Sequence, residues 1–199
     1  MARRSEHTQD QIKDMILNAA EAIIIEEGVD ALTVRKVAQE IGYTVGSFYM
    51  VFTNMEELMT HLKARTLDHL CGQLRTVSQI DEPEKQIHGL SKVYLNYAAE
   101  NFNRWRFVFE NSFLDQADMP DWYRQKVKII FEPIEELFKK LKPDIEDDLS
   151  NLAARSLWCG VHGICILSLN GHLDRAGIQN SELAVDMLVK NFILGWKQD

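Results

Sequence analysis

Apolar side chains recur every three or four residues along most of the chain, which is the spacing of one face of an α-helix. The first such stretch starts at Ile12. Just before it, Thr8 and Gln11 have the spacing of a capping box, in which each side chain bonds a free backbone N–H of the other residue. Gly28 supplies a typical helix stop. The pattern therefore predicts a first helix over residues 9–27.

Two short helices are predicted next, on either side of Gly42. Thr33 is a good N-cap for the first of them, and Thr44 can cap the second, which is expected to run to about Val51. A pair of short helices joined by a tight turn that contains glycine is the helix-turn-helix layout. In that layout the second helix presents its N-terminal residues to the major groove of DNA.

The rest of the chain also has helical periodicity. A long amphipathic helix is predicted from Met55 to about Val77, and the segment QIDEPE ends it. With only four prolines and ten glycines in 199 residues, helix is favoured nearly everywhere, so we predict an all-α fold. Further helices are predicted at about 84–101, 104–115, 120–141, 144–173 and 181–197.

Composition is that of an ordinary soluble protein, with 46% hydrophobic and 26% charged residues. We expect a cytoplasmic protein that does not enter a membrane, because the N-terminus lacks a signal-peptide pattern and no run approaches about 18 apolar residues. The odd number of cysteines, three, indicates free thiols in a reducing compartment. The net charge of −8 has the wrong sign for a protein that coats nucleic acid, although it still allows a small head to bind DNA.

The stretch ILNAAEAIIIEEGVDALTVRKVAQEIGYTVGSFYMVFTNMEEL at residues 16–58 resembles the DNA-binding head of the TetR family. That head is recognised by an IL-x-AA helix, a T-[TV]-R-x-[IV]-A helix and a G-[VY]-[ST]-x-G-x-[LF]-Y-x-H-F recognition helix. The resemblance implies a dimeric transcriptional repressor with a helix-turn-helix domain at 1–53 and a helical ligand-binding and dimerisation domain at 54–199. The partners it implies are a double-stranded DNA operator, a second copy of the chain, and a small hydrophobic or amphipathic ligand that releases the operator.

The resemblance also implies roles for single residues in the head. Arg35 and Lys36 are expected at phosphate rather than being only a solvated surface. For Arg3 and Arg4, a minor-groove arm and a mobile terminus are both open. The family's usual His and Lys near the recognition helix are Val51 and Met55 in this chain. The remaining residues expected to contact DNA are Thr33 at phosphate, Thr44, Val45, Gly46 and Ser47 in the groove, and Tyr49 at the backbone.

Aromatic residues in the body could line a ligand cavity, although a packed core is the default interpretation for aromatic side chains at helical spacing. The segment Trp158 to Gly163 resembles a Trp, His-Gly signature of one branch of the family's ligand domains. The residues predicted to bind ligand are Trp105, Phe109, Phe113, Trp122, Phe131, Trp158 and His162.

Cys159, His162 and Cys165 allow an alternative hypothesis, a helical metal-binding protein or thiol enzyme. Steps of three residues drift round a helix, so the outer pair cannot share one face, and a buried cysteine with a core histidine is favoured. No catalytic or cofactor motif is present in the sequence. We therefore expect a protein without enzyme activity, cofactor or metal.

The last predicted helix is apolar over more than one stripe, since Leu183, Met187 and Leu194 lie beside its main stripe. A terminal helix with a wide apolar surface suggests burial on a second side. We therefore expect the final two helices to form a four-helix dimer interface. The residues predicted for it are Val185, Leu188, Val189, Phe192 and Trp196.

Overall fold

The computed structural model describes residues 7–109 and 119–198. Arg3, Arg4 and Phe113, together with the end of the predicted helix 104–115, lie outside the described residues. Within that part of the chain there are helices and no strands, which confirms the all-α prediction. The helices are α1 Gln9–Glu27, α2 Val34–Glu40, α3 Val45–Tyr49, α4 Met55–Leu74, α5 Pro83–Glu100, α6 Phe102–Phe109, α7 Asp121–Leu141, α8 Asp147–Leu169 and α9 Ser181–Gln198.

The predicted capping interactions at the start of the chain are present. The Gln11 N–H donates to the Thr8 hydroxyl at 3.2 Å, and the Thr8 N–H donates to the Gln11 side-chain oxygen at 2.8 Å. At the other end of α1, Gly28 has a φ of 85°, which a residue with a Cβ rarely adopts. The bounds of α1 are therefore those that the sequence predicts.

Helix α8 is shorter than the predicted span of 144–173. Gly171, the residue after the C-cap Asn170, has a φ of 67°, and the His172 N–H donates back to the Leu167 carbonyl at 2.8 Å. This is the hydrogen bond of a left-handed helix end. Gly171 is thus the stop signal that ends α8 at Leu169.

Two compact units make up the chain. Unit 1 comprises the described residues of Met1–Thr66 and Asn103–Tyr123. Its core joins α1 to α4 with α6, because Phe107 of α6 is buried in the same cluster as the first helices. The cluster also contains Ile12, Ile16, Leu17, Ala20, Ile23, Ile24, Leu32, Val37, Phe48, Phe52, Leu58 and Leu62.

Unit 2 comprises Leu67–Phe102 and the described residues of Arg124–Asp199. In it, α5, α8 and α9 pack against one another. Gly160 of α8 lies tightly against α9, because an added Cβ there would lie 2.7 Å from Cδ2 of Leu188. Among the described helices, only α8 has the length and apolar composition to cross a membrane, a criterion that core helices of soluble proteins also meet.

Candidate nucleic-acid interface and ligand cavity

The turn between α2 and α3 is set by Gly42, whose φ of 71° is in the left-handed region. Two hydrogen bonds close this turn, from the Gly42 N–H to the Gln39 carbonyl at 3.1 Å and from the Tyr43 N–H to the Ala38 carbonyl at 2.9 Å. Phe48 then anchors α3 in the core of unit 1 with an exposure of 1%. The turn and this anchor together fix which face of α3 remains on the surface.

The outer face of α3 is the surface expected to contact DNA. Val45 and Tyr49 are 41% and 56% exposed, and Met50, just after the helix, is 60% exposed. Thr44 and Gly46 are exposed and Ser47 is half-buried. The helix is shorter than predicted, because Val51 and Phe52 both donate to the Phe48 carbonyl in a turn that follows Tyr49.

The two cations predicted at phosphate have different surroundings. Arg35 is exposed on α2. Lys36 forms an ion pair with Glu27 at the end of α1, and its backbone N–H donates to the Thr33 hydroxyl at 3.1 Å. Arg35 is therefore the more available cation. Lys36 is secondary because it must give up its pair with Glu27 to reach a phosphate, although that exchange costs little for a partly exposed ion pair.

The two positions that depart from the family pattern are partly buried. Val51 and Met55 both pack against the core of unit 1. Helix α4 begins at Met55 and is capped by the Asn54 side chain, which accepts a hydrogen bond from the Glu57 N–H at 2.8 Å. The Glu57 carboxylate in turn accepts bonds from the Thr53 N–H and hydroxyl, both at 2.7 Å. The backbone hydrogen bond from Thr53 lowers the pKa of Glu57 more than any other interaction does.

Three of the aromatic residues predicted to bind ligand lie in unit 1. Trp105 is fully buried and lies 5.5 Å from Phe109 between ring centres. Trp122 stacks on His61 with ring centres 4.9 Å apart and an interplanar angle of 22°. Burial and the positive charge of Lys13 lower the pKa of His61 below its ordinary value. Trp105 and Trp122 therefore each have a ring partner within unit 1.

The other three described residues of that set form a cluster in unit 2. Phe131 meets Trp158 edge-on at 5.6 Å, and Trp158 stacks on His162 at 4.8 Å. The Nδ1 of His162 lies 2.6 Å from the hydroxyl of Tyr94, which is 5% exposed. Sequence reasoning missed Tyr94, because its place on the buried stripe of α5 does not show which helix it meets.

A cavity of about 230 Å³ lies in unit 2 between α4, α5 and α7. None of the six described aromatic or histidine residues predicted to bind ligand lines it. Pro133 lies inside α7 and cannot donate to the Ile129 carbonyl, which breaks the helical hydrogen-bond ladder in this wall. The lining residues are Cys71, Leu74, Arg75, Ser78, Gln86, Leu90, Ile129, Ile130, Glu132, Pro133 and Ile134.

The thiols do not favour the metal or thiol-enzyme hypothesis. Cys159 is exposed whereas Cys165 is fully buried, and burial raises the pKa of Cys165 to about 12. The His162 ring is held between Tyr94 and Trp158. In the part of the chain that the structure describes, no three His, Cys, Asp or Glu side chains are grouped to hold a metal ion.

The residues predicted for the dimer interface lie mainly on the face of α9 that packs within its own chain. Val185 and Val189 have no exposed surface, because α9 packs on α5 and α8 of the same chain through this stripe. Phe192 and Trp196 meet Phe138 edge-on at 5.7 and 5.3 Å. With Leu188 packed on Gly160, the predicted stripe mainly forms the intrachain contact of α9.

The apolar residues that remain outside belong to other faces of the last two helices. Leu149, Leu152 and Leu167 of α8 are 44%, 60% and 41% exposed. On α9, the outward residues are those that the sequence places beside the main stripe. They are Leu183, Met187 and Leu194, at 66%, 66% and 48% exposure.

Comparison with known proteins agrees with this architecture. Residues 16–62 match the family model described as "Bacterial regulatory proteins, tetR family", and residues 87–192 match "Tetracyclin repressor-like, C-terminal domain". An HTH-type transcriptional regulator of Mycobacterium tuberculosis is 22% identical over 178 residues, 89% of this chain and 78% of that protein.

Solved structures show the same fold. A protein from Rhodococcus sp. RHA1 superposes with a TM-score of 0.77 at 17% identity, over 97% of this chain and 98% of that one. RolR, solved in complex with resorcinol, has a TM-score of 0.64 at 13% identity, over 92% of this chain and 87% of its own. The second family model alone spans more than half of the 199 residues. This chain belongs to the TetR family of DNA-binding transcription regulators.

Proposed function

We propose that this regulator is a cytoplasmic repressor without catalytic activity, which binds its operator as a homodimer and leaves it when a small amphipathic molecule enters the cavity of unit 2. The observation that supports operator binding most directly is the outer face of α3. This short helix is anchored by buried Phe48 and presents its opposite side to solvent. The residues proposed to contact DNA are Thr33, Arg35, Thr44, Val45, Gly46, Ser47 and Tyr49, with Lys36 in a secondary role and Arg3 and Arg4 as a minor-groove arm.

We propose that the DNA-contacting part of the head ends near residue 53, where Thr53 and Asn54 cap α4, while the core beneath it continues into α4 and α6. Two such heads in one dimer must fall in successive major grooves, about 34 to 36 Å apart. The acidic remainder of the chain then limits binding to other DNA, because like charges repel.

The proposed dimer partner is a second copy of this chain, which would cover the outward apolar stripes of α8 and α9. Exposed apolar residues at helical spacing on two adjacent helices are what a four-helix interface requires. The Leu152→Glu and Met187→Glu variants should therefore sediment as monomers at micromolar concentration. Ile25→Glu, at a 44% exposed position of unit 1, should stay dimeric, and wild-type protein that sediments only as a monomer would exclude this interface.

The proposed ligand site is the cavity between α4, α5 and α7. Its walls are mostly aliphatic, while Arg75, Ser78, Gln86 and Glu132 supply polar groups. This combination suits a molecule with an apolar body and one polar end. RolR, whose fold this chain shares, was solved with resorcinol, a small aromatic molecule with two hydroxyl groups.

Helix α4 offers a physical link between ligand and DNA. Its residues up to Thr66 belong to unit 1 and those from Leu67 onwards belong to unit 2, where Cys71 and Leu74 line the cavity. A ligand that displaces these two side chains acts on the helix that follows the recognition helix in the chain. The ligand weakens DNA binding to the extent that the ligand itself binds more tightly to the conformation with low DNA affinity.

The ligand proposal can be tested with resorcinol and a series of medium-chain fatty acids in a thermal-shift assay. A ligand present at about 100 times its dissociation constant stabilises the fold by about 2.7 kcal/mol. Any compound that raises the melting temperature of the wild type should also weaken its DNA binding. In the Cys71→Phe variant, whose cavity is filled, the same compound should change neither the melting temperature nor DNA binding. Asn96→Phe, at an exposed position of α5 outside the cavity, is the matched control. A compound that binds Cys71→Phe as well as wild type occupies another place, and one that binds without changing DNA affinity contradicts the proposed coupling.

A further inference from the structure

The outer face of the recognition helix lacks the side chains that usually identify a base. The sequence of α3 is VGSFY, flanked by Thr44 and Met50. Arginine and lysine read guanine, asparagine and glutamine read adenine, and carboxylates read cytosine. This stretch contains none of these residue types. Base identity must then be read by hydroxyl groups or by apolar contact.

Of the three hydroxyl groups, that of Tyr49 is proposed to contact the DNA backbone, and those of Thr44 and Ser47 are poor discriminators. Serine and threonine can bond to any base edge, and Oγ1 of Thr44 lies 3.3 Å from Oγ of Ser47, so each already has a partner. Apolar contact is different in kind, because only thymine carries a methyl group on its major-groove edge. A methyl group is bound by an exposed apolar side chain that is held in place.

Val45 has these properties. It is 41% exposed on the first turn of α3, and recognition helices contact bases through their first residues. A valine in a helix keeps essentially one rotamer, so contact with a ligand costs little side-chain entropy.

Gly46, next to Val45, leaves space in front of this surface. An added Cβ there would meet only Oγ1 of Thr44, at 3.6 Å, an ordinary van der Waals contact. The φ of Gly46 is not in the left-handed region. Neither the packing of the chain nor its backbone conformation therefore requires glycine here, whereas close approach of DNA would.

We propose that Val45, beside the opening at Gly46, reads the C5-methyl group of a thymine at a fixed position in each operator half-site. This inference rests on the proposed docking of α3 in the major groove. In this proposal the preference for the operator depends on an apolar contact. Val45 favours thymine over cytosine and uracil because only thymine has the C5-methyl group. Thr44 and Ser47 then add hydrogen bonds that tolerate several bases.

The test uses the whole 199-residue chain and DNA duplexes that it selects from a randomised pool. The selected duplex is resynthesised with uracil in place of thymine, one symmetric pair of positions at a time, and binding is measured by fluorescence anisotropy. Transfer of one methyl-sized group from water corresponds to about fourfold in affinity. At one position per half-site, uracil should therefore weaken binding about fourfold per subunit, hence about 15-fold per dimer.

The Val45→Ala variant identifies the contact. It should bind the thymine duplex more weakly than wild type and lose the difference between the thymine and uracil duplexes. Met50→Ala, a change at a 60% exposed neighbour, should keep that difference. Selected half-sites without a fixed thymine, equal binding of thymine and uracil duplexes, or an unchanged difference in Val45→Ala would each overturn the methyl contact. A pool that yields no enriched sequence would overturn the proposed operator binding as well. This failure differs from loss of the methyl contact alone, in which the protein still selects a duplex.

Discussion

The hydroxyl of Tyr94 on α5 lies 2.6 Å from Nδ1 of His162 on α8. This bond joins two helices of unit 2 across 68 residues of sequence, and the stacking of Trp158 on the same imidazole holds the ring from another side. His162 is predicted from the sequence as a ligand-binding residue. Its surroundings are those of a satisfied polar group within the helical body.

Tyr94→Phe should lower the free energy of unfolding by about 1 to 2 kcal/mol, because His162 loses a partner in a partly buried place. Urea unfolding measures the change. The control is Tyr49→Phe, which removes the same hydroxyl from a 56% exposed position and should change stability by less than about 0.5 kcal/mol. Equal effects of the two substitutions would show that the bond to His162 contributes nothing.

What the sequence predicts well in this fold is local. The cap at Thr8 and the glycines after α1 and α2 act on residues within a few positions, so α1 and the helix-turn-helix are predicted nearly residue by residue. The end of α8 was missed although Gly171 is also a local signal, because apolar periodicity continues past it. Local signals therefore predict the helix bounds of α1 to α3 more closely than those of later helices such as α8.

The sequence predicts poorly which face of a helix is buried, because burial depends on which other helices pack against it. Periodicity shows that α9 is apolar on several sides, but the packing of α5 and α8 decides that Val185 faces inward and Met187 outward. The same holds for the cavity. Its walls combine aliphatic residues from three helices, whereas the aromatic side chains chosen by residue type fall into two different units.

His61 makes the stability of unit 1 depend on pH. Burial and Lys13 lower the pKa of His61 in the folded chain, so the unfolded chain binds the proton more tightly. The free energy of unfolding should therefore fall as pH drops below the ordinary histidine value of about 6.5, and the loss should saturate below the folded pKa. His61→Gln should reduce this dependence between about pH 7 and pH 5. An NMR titration that places the His61 pKa above about 6.5 would contradict the stated cause.

Met55→Lys restores the cation that the family usually has at the start of α4. If the head docks as its relatives do, this change adds one phosphate contact per subunit and two per dimer. The slope of log affinity against log salt should then steepen by about 1.8, with operator and random DNA affected alike. Met55→Gln, which loses the same apolar packing without adding charge, should leave the slope unchanged. If Met55→Lys and Met55→Gln had the same slope of log affinity against log salt, residue 55 would not lie near the DNA backbone.

The central claim is that the surface formed by α2 and α3 binds operator DNA. It is tested most directly by anisotropy titrations of wild type, Arg35→Ala and Tyr49→Ala against the duplex that wild type selects from a randomised pool, with unfolding curves measured in parallel. We expect wild type to bind the selected duplex at least about a thousand times more tightly than random DNA. Both variants should lose affinity while their stability stays within about 0.5 kcal/mol of wild type. Undiminished operator binding by both variants, at unchanged stability, would contradict the account, because this surface would then not be the one that contacts DNA.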